Sequence, residues 1–344
     1  MSYDQLSKID QFDFRDKKIL IIGAGWMAER YCAALEAFRI RNVTILSRKK
    51  ESATAICERH GYIPAWGGYE MTLNSLGIFD LVIVSTPIHV LKEAATAACN
   101  AGNNNVLVEK PGSLYSSEFA KWIQEQKNEH CRVRIAFNRH VYPSLSKLME
   151  LVALEGGITS CFYTFTEWTH TIDFKNNKSD TYERWGIANS LHVIAMAHRL
   201  IGLPIELYAY RAGSLPWHPS GSRFSGSGLA ANHTLFSYHA DWTSAGRWGI
   251  EVMTPMNAYR LIPLEKLFRC PKGTVAWEAV ELTSAFPQVK EGVAEEIAII
   301  LNPSLESEHP LVTLNDALSL TQLAEKILGY KSTAGFLPSQ GSGL

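Results

Sequence analysis

The stretch Lys17-Lys18-Ile19-Leu20-Ile21-Ile22-Gly23-Ala24-Gly25-Trp26-Met27-Ala28 decides the fold. Its four consecutive apolar residues read as a strand buried on both faces. A Gly-x-Gly-x-x-Ala turn follows and opens a helix, the setting a dinucleotide-binding fingerprint requires. Gly23 permits the tight turn, Gly25 lets backbone approach a pyrophosphate, and Ala28 is small enough for the helix to pack on the strand. Free N–H groups and the positive dipole end at the helix start, around Trp26 and Met27, suit a phosphate.

Outward from this turn, short apolar strands alternate with amphipathic helices up to about residue 138. The strands are read at 18–22, 43–46, 81–85, 106–108 and 133–137, and the helices at 28–38, 52–59, 91–100 and 116–126. That alternation predicts an α/β fold with a doubly wound parallel Rossmann sheet. After Tyr142 the grammar changes. A helix over 144–154 stops at Gly156-Gly157, a strand runs over 158–168, and a long helix over 185–201 closes at Gly202. Strands are then expected at 206–211, 234–242, 248–253, 259–263 and 275–282, with 244–247 as a hairpin turn. Residues 216–228, rich in Ser and Gly, read as a long loop. Helices over 289–301 and 315–328 follow. The expected organisation is a Rossmann domain over 1–138, an α+β domain with an open, mainly antiparallel sheet over 139–332, and a flexible tail over 333–344.

The second strand ends in Ser47-Arg48-Lys49-Lys50. A hydroxyl followed by three cations suits a 2′-phosphate, so NADP is favoured, with NAD the alternative because Glu51 can reach a ribose. Ser85-Thr86-Pro87 closes the next strand and should line the cofactor trough. Glu109-Lys110-Pro111 closes another and delivers a lysine to the same sheet edge.

Lysine plus arginine (33) nearly cancels aspartate plus glutamate (34), leaving a formal charge of -1. Such a balance offers no field to hold nucleic acid or an anionic membrane. Met1–Lys18 has no signal-like apolar stretch, and no apolar run approaches membrane-spanning length. The six cysteines are scattered without a Cys-x-x-Cys pair, which predicts reduced thiols and a cytoplasmic protein. The histidines 218, 233 and 239 lack acidic or Cys partners at metal-site spacing, so no metal is expected.

The glycine turn, Ser85-Thr86-Pro87, Glu109-Lys110-Pro111, Phe137-Asn138-Arg139 and Asn189-Ser190-Leu191-His192 together resemble the glucose–fructose oxidoreductase and inositol dehydrogenase (Gfo/Idh/MocA) family. The resemblance implies NAD(P)-dependent oxidation or reduction of a carbinol carbon in a sugar, cyclitol or related compound. It also implies a C-terminal sheet that supports a homo-oligomer, a dimer or tetramer. Lys110 matches the family lysine beside the reacting oxygen, where an ammonium stabilises an alkoxide. His192 matches the family's general acid/base, a role an imidazole near its ordinary pKa performs at neutral pH. The family often has Asp one turn before this histidine; Ala188 stands there instead, which leaves Lys110 a larger share of the chemistry.

Candidate substrate contacts are Asn138, Arg139, Trp168, Trp185 and Asn189. Arg139 can clamp a carboxylate or phosphate or serve as an interdomain ion pair, and either tryptophan can stack on a sugar face or belong to the core. The leading expectation is a hydride transfer to or from a sugar or nucleotide-sugar-like carbonyl/alcohol, and the stretches 217–222 and 236–242 resemble a subgroup tied to surface-polysaccharide sugar metabolism. An NAD-dependent glycosidase using transient oxidation and a non-catalytic nucleotide sensor are the alternatives.

Overall fold

The computed structural model describes residues 3–175 and 178–331. The expected tail over 333–344 lies outside the described residues. Two sheets organise the chain, as the alternating and then strand-rich sequence requires. The first is built from β1 (Ile19–Ile22), β2 (Val43–Ser47), β3 (Ile63–Trp66), β4 (Leu81–Val84), β5 (Asn105–Glu109) and β6 (Arg132–Ala136). Their order is β3-β2-β1-β4-β5-β6, all parallel. The chain order reverses between β1 and β4, the switch point at which such sheets receive ligands. Strand β1 is fully buried, consistent with helices on both faces.

One strand and two helices of this half escape the sequence pattern, the first helix a single turn at Tyr3–Leu6. Strand β3 contains Pro64, which interrupts an apolar run but is tolerated because β3 lies at the sheet edge. The helix Tyr69–Leu76 after it buries only Leu73 fully, so its apolar periodicity is faint.

The second sheet holds β7 (Ser160–Phe165), β8 (Pro204–Ala212), β9 (Arg223–Ala230), β10 (Leu235–Asp241), β11 (Trp248–Met253), β12 (Asn257–Leu261), β13 (Phe268–Pro271) and β14 (Glu278–Ala279). It is mainly antiparallel, in the order β14-β13-β12-β11-β7-β10-β9-β8. Two expectations are corrected here. Residues 244–247 do not turn a hairpin, because β7 lies between β10 and β11 and pairs with both, parallel to β10 and antiparallel to β11. The supposed loop 216–228 contains most of β9, which pairs with β8 and β10 along its length. Its glycines are packing residues. A Cβ on Gly228 would overlap the Glu206 carbonyl and lie 2.8 Å from the Phe236 ring. Gly228→Ala is therefore expected to destabilise the fold by about 2–3 kcal/mol, read as a lowered urea midpoint with an unchanged slope. An unchanged midpoint would show that the strands separate at no cost.

A last short strand, β15 (Val312–Thr313), returns to the first sheet and pairs antiparallel with β6. It leads directly into the helix Leu314–Leu328, which starts with a capping box between Thr313 and Asp316. This C-terminal helix packs on Ser116–Glu125 of the first half and Leu191–Ile201 of the second. A buried ion pair, Arg184 Nη2 to Glu325 Oε1 at 2.5 Å, fixes that junction.

The expectation of six reduced thiols is also corrected. Cys99 and Cys131 form a disulfide with Cα atoms 5.6 Å apart. Adjacent parallel strands bring them together: Cys99 ends the helix before β5, and Cys131 immediately precedes β6. Among the described residues, no helix is long and apolar enough to cross a membrane.

Candidate active site

The C-terminal ends of β1, β4 and β5 converge at the switch point. Gly23 has φ +121, open only to glycine without strain, and a Cβ there would lie 2.5 Å from the Ser85 carbonyl oxygen. The Ser85 N–H donates to Ile22 O at 2.8 Å, so the turn and the Ser85-Thr86-Pro87 segment are locked together. The helix Trp26–Ala37 begins two residues earlier than its periodicity suggests, with Gly25 in extended geometry as its N-cap. A Cβ on Gly25 would meet no protein atom, and Ala28 is fully buried against the sheet. A glycine turn, open space before it and a helix N-terminus with free N–H groups fit a dinucleotide pyrophosphate. Ser47 ends β2, and Arg48, Lys49 and Lys50 follow it exposed, with the Lys50 ammonium 4.8 Å above the Trp66 ring.

Glu109 ends β5, and Lys110 lies in the turn beyond it, joined to Pro111 by a cis peptide bond. The Tyr31 hydroxyl donates to Glu109 Oε1 at 2.7 Å. Burial pushes both the Tyr31 and Glu109 pKa values up. Lys110 reaches across to the second half of the chain, where its Nζ donates to the Ala188 carbonyl at 2.6 Å.

That carbonyl belongs to a feature the sequence pattern does not reveal. The expected continuous helix 185–201 is a π-helical turn, Gly186–Ser190, followed by an α-helix, Leu191–Ile201. Leu191 N–H bonds to Gly186 O, five residues back. Such bulges shift the register of a helix and are frequent at functional sites. Ala188, where the family often has Asp, thus meets Lys110 through its backbone. His192 follows one turn later and is 5% exposed. Its ring packs edge-on to Phe137 at 6.1 Å and lies 6.2 Å from the Trp248 ring.

Burial alters the acid–base expectation. Desolvation, then the charges of Arg139, Lys110 and Lys290, hold the His192 pKa well below the ordinary imidazole range. It is therefore a neutral ring near pH 7, not a group poised to titrate there. Lys110 is pulled down to about 8, chiefly by burial and also by Arg139 and Lys290, against the opposing pull of Glu109 and Glu167. The lysine, not the histidine, sits near neutrality.

The candidate substrate contacts divide into two groups. Asn189 Nδ2 donates to Glu167 Oε2 at 2.9 Å, and the Ser190 hydroxyl donates to Glu167 Oε1. Glu167, Asn189, Trp168, Trp185 and Arg247 line one cleft of about 290 Å³. Trp168 is half exposed, its indole N–H held by Gly246 O at 2.8 Å and its face covered by Arg247 at 4.6 Å. Trp185 stacks on Tyr182. Arg139 lies over Tyr142 and Trp248. Asn138 is engaged elsewhere, its amide donating to Glu291 O at 2.9 Å. A larger groove of about 710 Å³ beside the helix Ile88–Asn100 is lined by neither Lys110 nor His192.

Glu167, Trp248, Arg247, Lys290 and Tyr31 join this region without a sequence signal. They come from different strands, loops and helices, and only the packing of the two sheets brings them together.

In overall structure the chain is similar to a levoglucosan dehydrogenase solved with NADH and L-sorbose, at TM-score 0.73, 18% identity, and coverage of 91% of this chain and 96% of that one. It is likewise similar to a UDP-N-acetylglucosamine 3-dehydrogenase from Acidithiobacillus ferrooxidans, at TM-score 0.69, 16% identity, and coverage of 91% and 97%. At these identities the likeness establishes the fold. In sequence, 74 residues are 38% identical to a glutamyl-tRNA reductase from Saccharolobus solfataricus, covering 21% of this chain and only 16% of that protein. Residues 17–137 match the Gfo/Idh/MocA family, described as "Oxidoreductase family, NAD-binding Rossmann fold", so this stretch of the chain is an NAD-binding domain of that family.

Proposed function

We propose that this protein is an NAD(P)-dependent oxidoreductase acting on a CH–OH group, or the matching carbonyl, of a sugar or nucleotide-sugar-like molecule bound between the two sheets. The observation that carries the reading is the Lys110 ammonium bridging to Ala188 O, one turn before the buried His192 and next to the dinucleotide-binding turn. A bound nicotinamide supplies the hydride acceptor or donor. Lys110 holds the reacting oxygen, stabilising negative charge on it when protonated and accepting its proton when neutral. His192, uncharged, orients the same oxygen through a ring nitrogen. The cleft beside Trp168 and Trp185 receives the sugar ring, with Asn189 and Glu167 at its polar edge. Incubation with NAD(H) or NADP(H) and a panel of sugars, following nicotinamide absorbance, tests the reading. Tight dinucleotide binding with no turnover of any sugar would favour a nucleotide sensor instead.

Arg48 and Lys49, exposed at the end of β2, support a preference for NADP. Arg48→Glu is expected to weaken NADP binding by about tenfold or more while leaving NAD binding within a few-fold. Equal losses for both dinucleotides, measured by equilibrium titration, would remove the 2′-phosphate assignment. The exposed apolar residues Ile205, Tyr208, Tyr210 and Leu235 on β8 and β10 support a homo-oligomer formed through the second sheet. The near-neutral charge supports a small-molecule partner over nucleic acid. A cytoplasmic location is compatible with the disulfide, since Cys99 and Cys131 are both buried from soluble thiols.

A further inference from the structure

Arg139, Trp248 and His192 form one cluster, linked through Arg247 to the cleft at Trp168 and Trp185. The Arg139 guanidinium lies 5.0 Å from the Trp248 ring centroid, and the His192 ring lies 6.2 Å from it. Arg247 covers the same indole at 4.3 Å. Each of the first three carries a buried polar nitrogen without a hydrogen-bond partner among the described residues: Arg139 Nε, Trp248 Nε1 and His192 Nδ1. Trp248 is 4% exposed. Arginine and indole N–H groups can only donate, so what is missing at this wall is an acceptor. Buried donors left without one are costly, and native sites rarely tolerate several together.

The charge balance points the same way. Among the described residues, none of Lys110, Arg139 and Lys290 has a carboxylate within ion-pairing distance. Of the buried acids nearby, Glu109 is engaged by Tyr31 and Glu167 by Ser190 and Asn189, and the unpartnered Glu296 carboxyl lies toward Glu109 and Lys290, not toward Arg139. Lys290 sits over Trp26 at the start of the dinucleotide helix, where a cofactor phosphate can answer its charge. Arg139 stands against the second sheet, its guanidinium over the Trp248 ring. A sugar hydroxyl offers an acceptor but no charge. A carboxylate offers two acceptor oxygens and the missing negative charge.

We propose that the substrate is a sugar acid, its carboxylate bound by Arg139 and the Trp248 indole N–H beside the carbinol carbon that faces Lys110 and His192. This rests on the oxidoreductase reading above and narrows its substrate class. The aromatic cleft at Trp168 and Trp185 takes the ring face, and the arginine wall takes the charged end.

Equilibrium binding of D-gluconate, D-glucuronate and D-galacturonate, each against its neutral counterpart sugar, tests the assignment by calorimetry on the NAD(P)-loaded protein. At least one acid is expected to bind tenfold or more tightly than its neutral partner. Arg139→Gln should abolish that preference, Arg139→Lys should keep part of it, and Trp248→Phe should reduce it several-fold while preserving the ring. Circular dichroism checks that each variant folds, and Trp248→Phe decides the matter if Arg139→Gln does not. Equal affinity for acid and neutral sugar, an undiminished preference in the variants, or no binding of any acid overturns the proposal. So does tighter binding of D-glucose 6-phosphate than of every acid, which would assign the wall to a phosphate. Turnover of a neutral sugar without acid preference sinks this inference alone. Tight acid binding without any nicotinamide turnover sinks the oxidoreductase reading and leaves the carboxylate site standing.

Discussion

Lys110→Ala is expected to lower kcat by about a thousandfold, with a much smaller change in KM. Burial brings the ammonium down to about 8, while His192 is held well below its usual range. This sets a sign for the pH dependence. Alcohol oxidation needs the neutral amine to accept the hydroxyl proton, so kcat/KM should rise with pH through an inflection near 8. Carbonyl reduction needs the ammonium, so its rate should fall across the same range. In Lys110→Ala the inflection should vanish in both directions. Turnover near wild-type, or an inflection near 8 that survives in the variant, would show that another group carries the proton.

Glu325→Ala should cost about 3–5 kcal/mol of stability, the largest effect expected from a residue outside the site. Removing the carboxylate strands Arg184, whose side chain is only 8% exposed. The guanidinium keeps its bond from Nε to Leu114 O at 2.8 Å and its positions over Tyr115 and Tyr330, but loses its only counter-charge among the described residues. Ser116 also loses both of its bonds to that carboxylate, from the hydroxyl at 2.6 Å and the backbone N–H at 3.2 Å. Chemical denaturation measures the loss. A double variant, Arg184→Met with Glu325→Leu, should recover most of it by leaving no unpaired charge behind. If Glu325→Ala alone were neutral, water would have to be reaching the guanidinium.

These two residues differ in how visible they are before folding. Lys110 is legible because it ends an apolar strand in a parallel series, and strand ends in such sheets gather at one edge. Glu325 is one of two acids on an amphipathic helix and is marked by nothing local. The same contrast runs through the second half of the chain. The strand at 248–253 reads correctly from its alternation, yet its neighbours do not, since a turn sequence between consecutive strands suggests that they pair. Here β7 enters between them. Strand β9 is hidden because its glycines carry a loop's composition while serving a strand's packing.

By itself the sequence determined what depends on local periodicity and on single-residue backbone freedom: the Rossmann series, the glycine turn, the lysine at the strand end, and the change to a strand-rich second half. Tertiary structure alone decided what depends on distance through space. It placed β7 at the centre of its sheet, turned Gly186–Ser190 into a π-helical turn whose Ala188 carbonyl meets Lys110, and joined Cys99 to Cys131. It also lowered the proton affinities of both Lys110 and His192, which depend on the water each side chain loses and the charges that surround it. Neither is written in the residues next to it in the chain.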